Sequence, residues 1–303
     1  MVAGSRFVVF GEALTDFIRE EDGRWRAVPG GSPWNVARAA ARLGVTTGYA
    51  GAVSRDLFGD ELLRLTREAG LDLRFTQQVD RSPLLAMVVS RDPPRYFFVG
   101  DDSADLHFDL AALPASWLHD ADVVHFGSLS LAREPHAARL VDLAERVHAG
   151  GKRVSYDPNH RAGMDERYRS TLARMAAVAD YVKVSEEDLA ALFPGSSPSS
   201  ALDALRRLAP RAWILHTLGA GGMTLRTPER QVFQPAFQVA VVDTVGAGDA
   251  SMAGWMVSLL TRPAAPLEEH VAFAAAAAAV VCRHAGAYAP TLAEVDALLT
   301  ERD

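Results

Sequence analysis

Cysteine is almost missing from this sequence: Cys282 is the only one among 303 residues. A single thiol cannot form an internal disulfide bond, so we expect a protein of a reducing compartment. The longest apolar run, residues 272–282, is too short to span a bilayer. Residues 1–10 contain no charged segment followed by a long apolar one, so no leader peptide is expected. These absences predict a soluble cytoplasmic protein with no membrane partner.

Basic runs interleaved with aromatic residues are also missing, and the net charge is −7. The sequence therefore predicts no nucleic-acid partner. Histidine pairs with metal-ligand spacing and a G-x-S-x-G elbow are absent as well, which leaves zinc and serine hydrolysis without support. Hydrophobic residues make up 49% of the chain, which is enough for a sizeable core.

The pattern of apolar segments predicts an α/β fold. Buried strands alternate with amphipathic helices from residue 123 to residue 217, as in repeated βα units. Such units form a mostly parallel sheet with helices on both faces, a three-layer arrangement. Alternating strands near residues 12–30 and 84–100 should form a small second sheet, a lid. We expect one domain over residues 1–303 that carries this lid.

The chemistry is concentrated in residues 239–254. Residues 239–242 read as a buried apolar strand, residues 244–248 as a small-residue loop, and Asp249 as the first turn of a helix that ends near residue 260. A helix N-terminus binds phosphate, and a carboxylate there can accept a proton from an attacking hydroxyl. This combination suits a small-molecule kinase. The alternative is a tight βα connection with a favourable first-turn acid.

Two stretches resemble one family. Residues 30–37 (GGSPWNVA) with the following Arg42-Leu43-Gly44 resemble the N-terminal signature of the ribokinase/fructokinase (PfkB) carbohydrate kinases. Residues 243–249 (DTVGAGD) resemble their C-terminal signature. Residues 11–16, 50–59 and 157–161 look most like fructokinases. The resemblance covers essentially the whole chain and implies a ribokinase-like fold.

This resemblance implies roles for the second signature. Asp249 matches the catalytic base, and the backbone N–H groups of Gly246, Ala247 and Gly248 match an anion hole for the γ-phosphoryl oxygens. Asp243 matches part of a K⁺ site in some relatives, although it could simply cap the loop. The implied cosubstrate is ATP, with Mg²⁺ and a further K⁺ as expected cations.

Four residues match the acceptor site of the family. Asp16 suits polyol recognition because a carboxylate accepts two hydroxyl hydrogen bonds; otherwise it is a turn or cap residue. Gly31 lets the backbone approach a ligand, and Asn35 offers a donor and an acceptor or caps a helix. Arg161 belongs to the active-site rim or forms a salt bridge with Asp157 or Asp165. A small-molecule sugar is the implied partner.

The nucleotide side of the resemblance rests on two short segments. Lys183 and Ser185 lie in the segment that organises Mg²⁺ and phosphate through water, where Ser185 replaces the usual Asn and Asp188 the usual Glu. Both replacements keep oxygen ligands, and the alternative is a capped helix N-terminus. Thr217, Gly219 and Gly222 match the nucleotide-phosphate loop. The alanines of residues 274–279 should lie beside the adenine.

One departure concerns the acceptor. Related fructokinases often carry an arginine shortly before the Ser-Ala-Asp sequence, here residues 103–105, and this chain has VGDD at residues 99–102. Fructose is the expected acceptor, with 2-keto-3-deoxygluconate, ribose or a nucleoside as alternatives. A silent sugar-binding regulator remains a further hypothesis. A nicotinamide-dependent dehydrogenase lacks the G-x-G-x-x-G opening. The apolar strand near residues 84–89 suggests edge-to-edge pairing of two lids in a homodimer.

Overall fold

The computed structural model describes residues 4–91, 94–161 and 164–301. Its strands are β1 (Phe7–Phe10), β2 (Leu14–Arg19), β3 (Trp25–Gly30), β4 (Thr47–Ser54), β5 (Thr76–Val79), β6 (Leu85–Arg91), β7 (Pro94–Val99), β8 (Val123–Gly127), β9 (Arg153–Asp157), β10 (Tyr181–Ser185), β11 (Trp213–Thr217), β12 (Met223–Arg226) and β13 (Gln231–Gln234). Its helices are α1 (Ser32–Arg42), α2 (Leu57–Glu68), α3 (Trp117–Asp120), α4 (His136–Ala149), α5 (Tyr168–Val178), α6 (Glu186–Leu192), α7 (Pro198–Leu208), α8 (Ala247–Thr261), α9 (Leu267–Cys282) and α10 (Leu292–Thr300). No helix in these ranges is long and apolar enough to cross a membrane.

The main sheet has nine strands in the order β13-β12-β11-β10-β9-β8-β1-β4-β5. The strands from β11 to β5 in this order are parallel, and β12 pairs antiparallel with both of its neighbours, β11 and β13. The chain runs from β1 to β4 on one side and returns to β8 on the other. The β1/β8 boundary is therefore a topological switch point, where ligands bind beyond the carboxyl ends of the strands.

Both faces of this sheet are buried, as the alternation along β1 shows. Phe7 and Val9 pack in one core cluster with residues of α1, α8 and α9. Val8 and Phe10 point to the opposite face and pack with residues of α4 and α5. The mostly parallel sheet with helices on both faces is the predicted fold class, and it is confirmed.

The predicted lid is a separate four-stranded sheet in the order β3-β2-β6-β7. Residues 92 and 93 of its second segment lie outside the described residues. Edge-to-edge pairing of two lids was predicted from the apolar strand near residues 84–89. That basis is wrong, because this strand, β6, is internal and lies between β2 and β7. The edges are β3 and β7. Directly paired residues share a face, so Phe97, Met87 and Phe17 lie on the face opposite to Phe98 and Ala86.

The predicted strand over residues 239–242 is wrong. These residues form no strand, and Val241 and Val242 are 63% and 64% exposed. The backbone N–H of Val242 instead donates to the carbonyl of Cys282, at 2.8 Å, at the end of α9. An apolar, β-branched run marks a strand only when a neighbouring strand pairs with it. Here the run forms the wall between two clefts.

Candidate active site

The first turn of α8 separates two clefts. One, of about 670 Å³, is lined by Gly246 and Asp249 and by residues of the lid. The other, of about 440 Å³, is lined by Ala247 and Gly248. We call them the lid cleft and the glycine cleft. They share Val241 and Thr244, so a group in one can reach a group in the other at this helix terminus.

The terminus is shaped by Gly246, which precedes α8 with a φ of 82°. This left-handed conformation is accessible to glycine at little cost. The first N–H groups of a helix have no partner within it and carry partial positive charge. Ala247 donates its N–H to the Thr244 carbonyl at 3.2 Å, so this donor would have to leave that turn to meet an anion.

Asp249 is buried and is held by two side chains from the start of α1. Ser32 Oγ donates to its Oδ1 at 2.6 Å, and Asn35 Nδ2 donates to its Oδ2 at 2.9 Å. Burial raises the pKa of Asp249, whereas these two hydrogen bonds and the charge of Lys183 act against that rise. The two hydrogen bonds thus fix the orientation of this carboxyl group at the lid cleft.

The other predicted acceptor residues, Asp16, Gly31 and Arg161, also line the lid cleft, together with Asn35. Gly31 has a φ of 110°, and a Cβ there would come within 2.6 Å of the Glu12 carbonyl oxygen. Only glycine allows this approach. Among the described residues Arg161 forms no ion pair with either Asp157 or Asp165, so the structure does not support its salt-bridge alternative. Its guanidinium donates to the carbonyl of His160 at 2.9 Å.

The predicted nucleotide residues line the glycine cleft: Lys183, Ser185, Thr217, Gly219 and Gly222. The alanines of α9 contribute as well, since Ala275, Ala278 and Ala279 form part of its wall. Small side chains leave room for a large planar group between the wall and the strand ends. Backbone turns and the helix terminus supply the donors that phosphate oxygens need.

Ser185 and Asp188 form a capping box at the start of α6. Asp188 accepts from the backbone N–H of Ser185 at 3.0 Å and from that of His160 at 2.7 Å. Burial acts to raise the pKa of Asp188, but the Lys183 charge and these N–H groups bring it below its usual range. Asp188 lines neither cleft, so its predicted contact with Mg²⁺ through water remains a prediction.

Asp243 caps the loop before α8. Its Oδ1 accepts from the N–H of Val245 at 3.2 Å, and its Oδ2 accepts from the N–H of Gly286 at 3.1 Å. The carboxylate therefore connects the loop to the segment after α9. This capping role is the predicted alternative to binding K⁺, and a carboxylate at this position could serve in both roles.

Comparison with known proteins identifies the family of the chain. Residues 5–294 match the pfkB family of carbohydrate kinases. The chain belongs to this family. A fructokinase of Escherichia coli is 32% identical over 257 residues, which cover 83% of each protein. The ATP-bound fructokinase structure from Xylella fastidiosa superimposes with a TM-score of 0.89 at 28% identity, over 98% of this chain and 99% of that one.

Similar solved structures also include a kinase with a different acceptor in its name. The aminoimidazole riboside kinase of Salmonella enterica, solved with aminoimidazole riboside and an ATP analogue, gives a TM-score of 0.85 at 28% identity. It covers 97% of this chain, and this chain covers 99% of it. Membership in the pfkB family therefore shows that the chain is a ribokinase-like carbohydrate kinase. It does not identify the acceptor, because the two solved structures are named for different acceptors.

Sequence reasoning missed two polar residues of this pfkB site. Ser32 received no role, although a hydroxyl beside the Gly30-Gly31 pair is a signal that a ligand or a catalytic group lies near. Glu12 follows β1 at the switch point, lines the lid cleft and accepts from Ser130 Oγ at 2.5 Å. Burial raises the pKa of Glu12. Glu12 lies at the site only because β1 is next to the switch point in the sheet, and no local motif shows this order of strands.

Metal ligands are sparse in the part of the chain that is described. No group of three or more His, Cys, Asp or Glu residues there could hold a metal ion by itself. Mg²⁺ usually keeps several waters and binds one or two carboxylates together with substrate phosphates. The donors near the glycine cleft, Glu187 at its wall and Asp188 behind it, fit a metal of this kind better than a permanent metal centre.

Proposed function

We propose that the protein is an ATP-dependent sugar kinase whose preferred acceptor is D-fructose, with fructose 6-phosphate and ADP as products. The family supports the phosphoryl transfer to a carbohydrate. The fructokinase from Escherichia coli supports the choice of acceptor. In this assignment the lid cleft takes the sugar and the glycine cleft takes the nucleotide.

One observation carries the proposal: a buried, hydrogen-bonded carboxylate stands where the two clefts meet. A hydroxyl in the lid cleft would lie between Asp249 and a phosphoryl group at the first turn of α8. Asp249 would take the proton as the new O–P bond forms, and the helix terminus would stabilise the charge on the phosphoryl oxygens. Positioning and electrostatics are the main contributions of a protein to this reaction.

The polar groups of the lid cleft suit a polyol. Asp16 and Asp249 are acceptors, and Arg161 is a donor. Asn35 Oδ1 is a buried acceptor that has no hydrogen-bond partner among the described residues. A buried acceptor without a partner is costly, and a sugar hydroxyl would satisfy it.

The glycine cleft suits a nucleoside triphosphate. The turn around Gly219 and Gly222 and the first turn of α8 would bind the phosphates, and the alanines of α9 would face the base. When bound, Mg²⁺ supplies neutralising charge on the phosphates. Asp188 would orient its water ligands from behind Ser185, and K⁺ near Asp243 would stabilise the loop before α8.

A panel of acceptors with ATP and Mg²⁺, with and without K⁺, tests the proposal through coupled detection of ADP. We expect fructose to give the highest kcat/KM and Asp249→Ala to abolish turnover. Binding of sugar without turnover in the wild type would instead identify a silent regulator. Highest kcat/KM with another acceptor would refute the fructose assignment.

A riboside is the second candidate acceptor. The inner face of the lid presents apolar side chains to the cleft, among them Val88, Tyr96 and Phe98. Such a wall would accommodate a planar substituent better than a ring of hydroxyls. The likeness to the aminoimidazole riboside kinase supports its place in the panel.

We also propose that the lid pairs two copies of the chain. Its outer face carries Phe97 and Val99, which are 53% and 47% exposed, and Trp25, which is 41% exposed. An exposed apolar face of this kind is typical of an interface. Light scattering at micromolar concentration should give the mass of a dimer, and a monomeric mass would refute this assignment.

A further inference from the structure

An ion pair lies behind the junction of the two clefts. Lys183 Nζ, in β10, is 3.1 Å from Asp157 Oδ2, at the end of the neighbouring strand β9. The side chains of Lys183 and Asp157 are only 5% and 1% exposed. Removing two charges from water is costly, and their mutual attraction often does no more than offset that cost, so such a pair is weak evidence for a purely stabilising role.

The lysine reaches the helix terminus where transfer would occur. A Cβ built on Gly248 would lie 3.2 Å from Lys183 Nζ, so the ammonium packs directly against the first turn of α8. Lys183 also lines the glycine cleft. An ammonium has three donors, and Asp157 is its one ion-pair partner in the described part of the chain.

The choice of lysine is informative in this chain. Lys152 and Lys183 are its only lysines, although lysine and arginine together number 31. Arginine is thus the usual cation of this chain, but the buried position 183 carries lysine, whose ammonium is a compact point charge. Lysine binds phosphate as a point charge, whereas the planar guanidinium needs a wider, forked site.

The charge of Lys183 is maintained by its surroundings. Burial acts to lower the pKa of Lys183, but Asp157, Asp188 and Asp249 raise it above its usual range. Burial also raises the pKa of Asp157, to about 7, against the opposing effect of Lys183. The lysine is therefore a cation at neutral pH.

We propose that Lys183 is a catalytic residue that contacts the transferred phosphoryl group beside the Gly248 amide, and that Asp157 is the positioning residue that holds its ammonium there. This inference rests on the proposed phosphoryl transfer. The bond between the acceptor oxygen and the γ-phosphorus forms, and the bond from that phosphorus to the β–γ bridging oxygen breaks. Asp249 takes the hydroxyl proton, ADP leaves with the electron pair, and Lys183 keeps its proton.

Steady-state kinetics of Lys183→Met tests the catalytic part. We expect kcat to fall about 100-fold or more, as when one donor to a developing charge is removed, with a much smaller change in the KM for ATP. Lys152→Met is the matched control, because Lys152 donates to the carbonyl of His119 on the surface and should leave kcat unchanged. A kcat of Lys183→Met within threefold of the wild type would overturn the proposal.

A double-mutant cycle tests the positioning part. We expect Asp157→Asn to lower kcat about tenfold in the wild type and to have no further effect in Lys183→Met, because Asp157 acts through the lysine. The double variant lacks both partners of the ion pair, and its melting temperature, measured beside those of the single variants, separates slow catalysis from poor folding. An equal loss from Asp157→Asn in both backgrounds would contradict this role.

Binding of ADP with beryllium fluoride, a mimic of the transferred group, needs no acceptor. The wild type should bind ADP more tightly when the fluoride is present, and Lys183→Met should lose this gain while its affinity for ADP alone stays within about threefold. An undiminished gain in Lys183→Met overturns the inference even if no acceptor is phosphorylated. Failure of the whole acceptor panel, by contrast, counts against the proposed function alone.

Discussion

The two clefts that meet at α8 are lined by different types of residue. The floor of the lid cleft consists of side chains that fix one another, as Ser32 and Asn35 fix Asp249 across more than 200 residues of chain. In the glycine cleft, glycine and alanine are the most frequent lining residues, and Lys183 lies beside the helix terminus. Chemistry at the lid cleft depends on particular functional groups. Apart from Lys183, binding in the glycine cleft depends on side chains being small. Deletion of a group should therefore harm the lid cleft, and addition of a group to the alanine wall should harm the glycine cleft.

The largest effect is expected from Asp249→Asn, which keeps the shape of the lid cleft and removes the base. General base catalysis contributes about 10²–10⁴-fold, so kcat should fall by about 10³-fold while the KM for ATP changes little. Coupled detection of ADP measures both. A kcat within tenfold of the wild type would show that another group accepts the proton.

Addition of a group to the glycine cleft should give a smaller and different effect. Ala278→Leu places a bulky side chain at the cleft wall, and we expect the KM for ATP to rise about tenfold with kcat nearly unchanged. Ala272→Leu is the matched control, since Ala272 is partly exposed on the same helix and lines neither cleft. A rise in the KM of the sugar instead would mean that the two clefts are wrongly assigned.

The lid offers a pair of adjacent aromatic residues on opposite faces. Phe98 lines the lid cleft, and Phe97 is exposed on the outer face. We expect Phe98→Ala to raise the KM of the acceptor several-fold. It should also increase ATP hydrolysis without acceptor, because the cleft of the variant would admit water even when closed. Phe97→Ala should leave this KM unchanged and weaken self-association. Equal effects on the acceptor KM would contradict the orientation of the sheet.

The smallest effect at the pH optimum is expected from Ser32→Ala, which removes a hydrogen bond to the charged form of Asp249. The pKa of Asp249 should rise, so the acidic limb of kcat/KM should move to higher pH, with kcat above that limb changed by less than about threefold. Ser258→Ala is the control, because Ser258 is a buried serine of α8, the helix of Asp249, and its hydroxyl bonds to His270 instead. An unmoved limb would mean that Ser32 only positions Asp249.

Prediction from the sequence succeeded where adjacent residues alone determine the local structure. The helix predicted to carry Asp249 in its first turn and to end near residue 260 agrees with α8, which spans Ala247–Thr261. Prediction failed where neighbours decide: residues 239–242 are apolar but unpaired, and β12 and β13 were not foreseen as antiparallel strands at the sheet edge. Edge strands are short and partly polar, so their apolar period is weak.

The chain by itself determined the α/β alternation, the two small-residue loops and the acid that opens α8, because these depend on periodicity and on residue types at adjacent positions. Only the tertiary structure decided which residues hold that acid, that Glu12 lies at the switch point, and that Lys183 packs under Gly248. These contacts join segments far apart in sequence, and the order of the strands brings them together. Their geometry is a property of the packed sheet and helices, which no single segment contains.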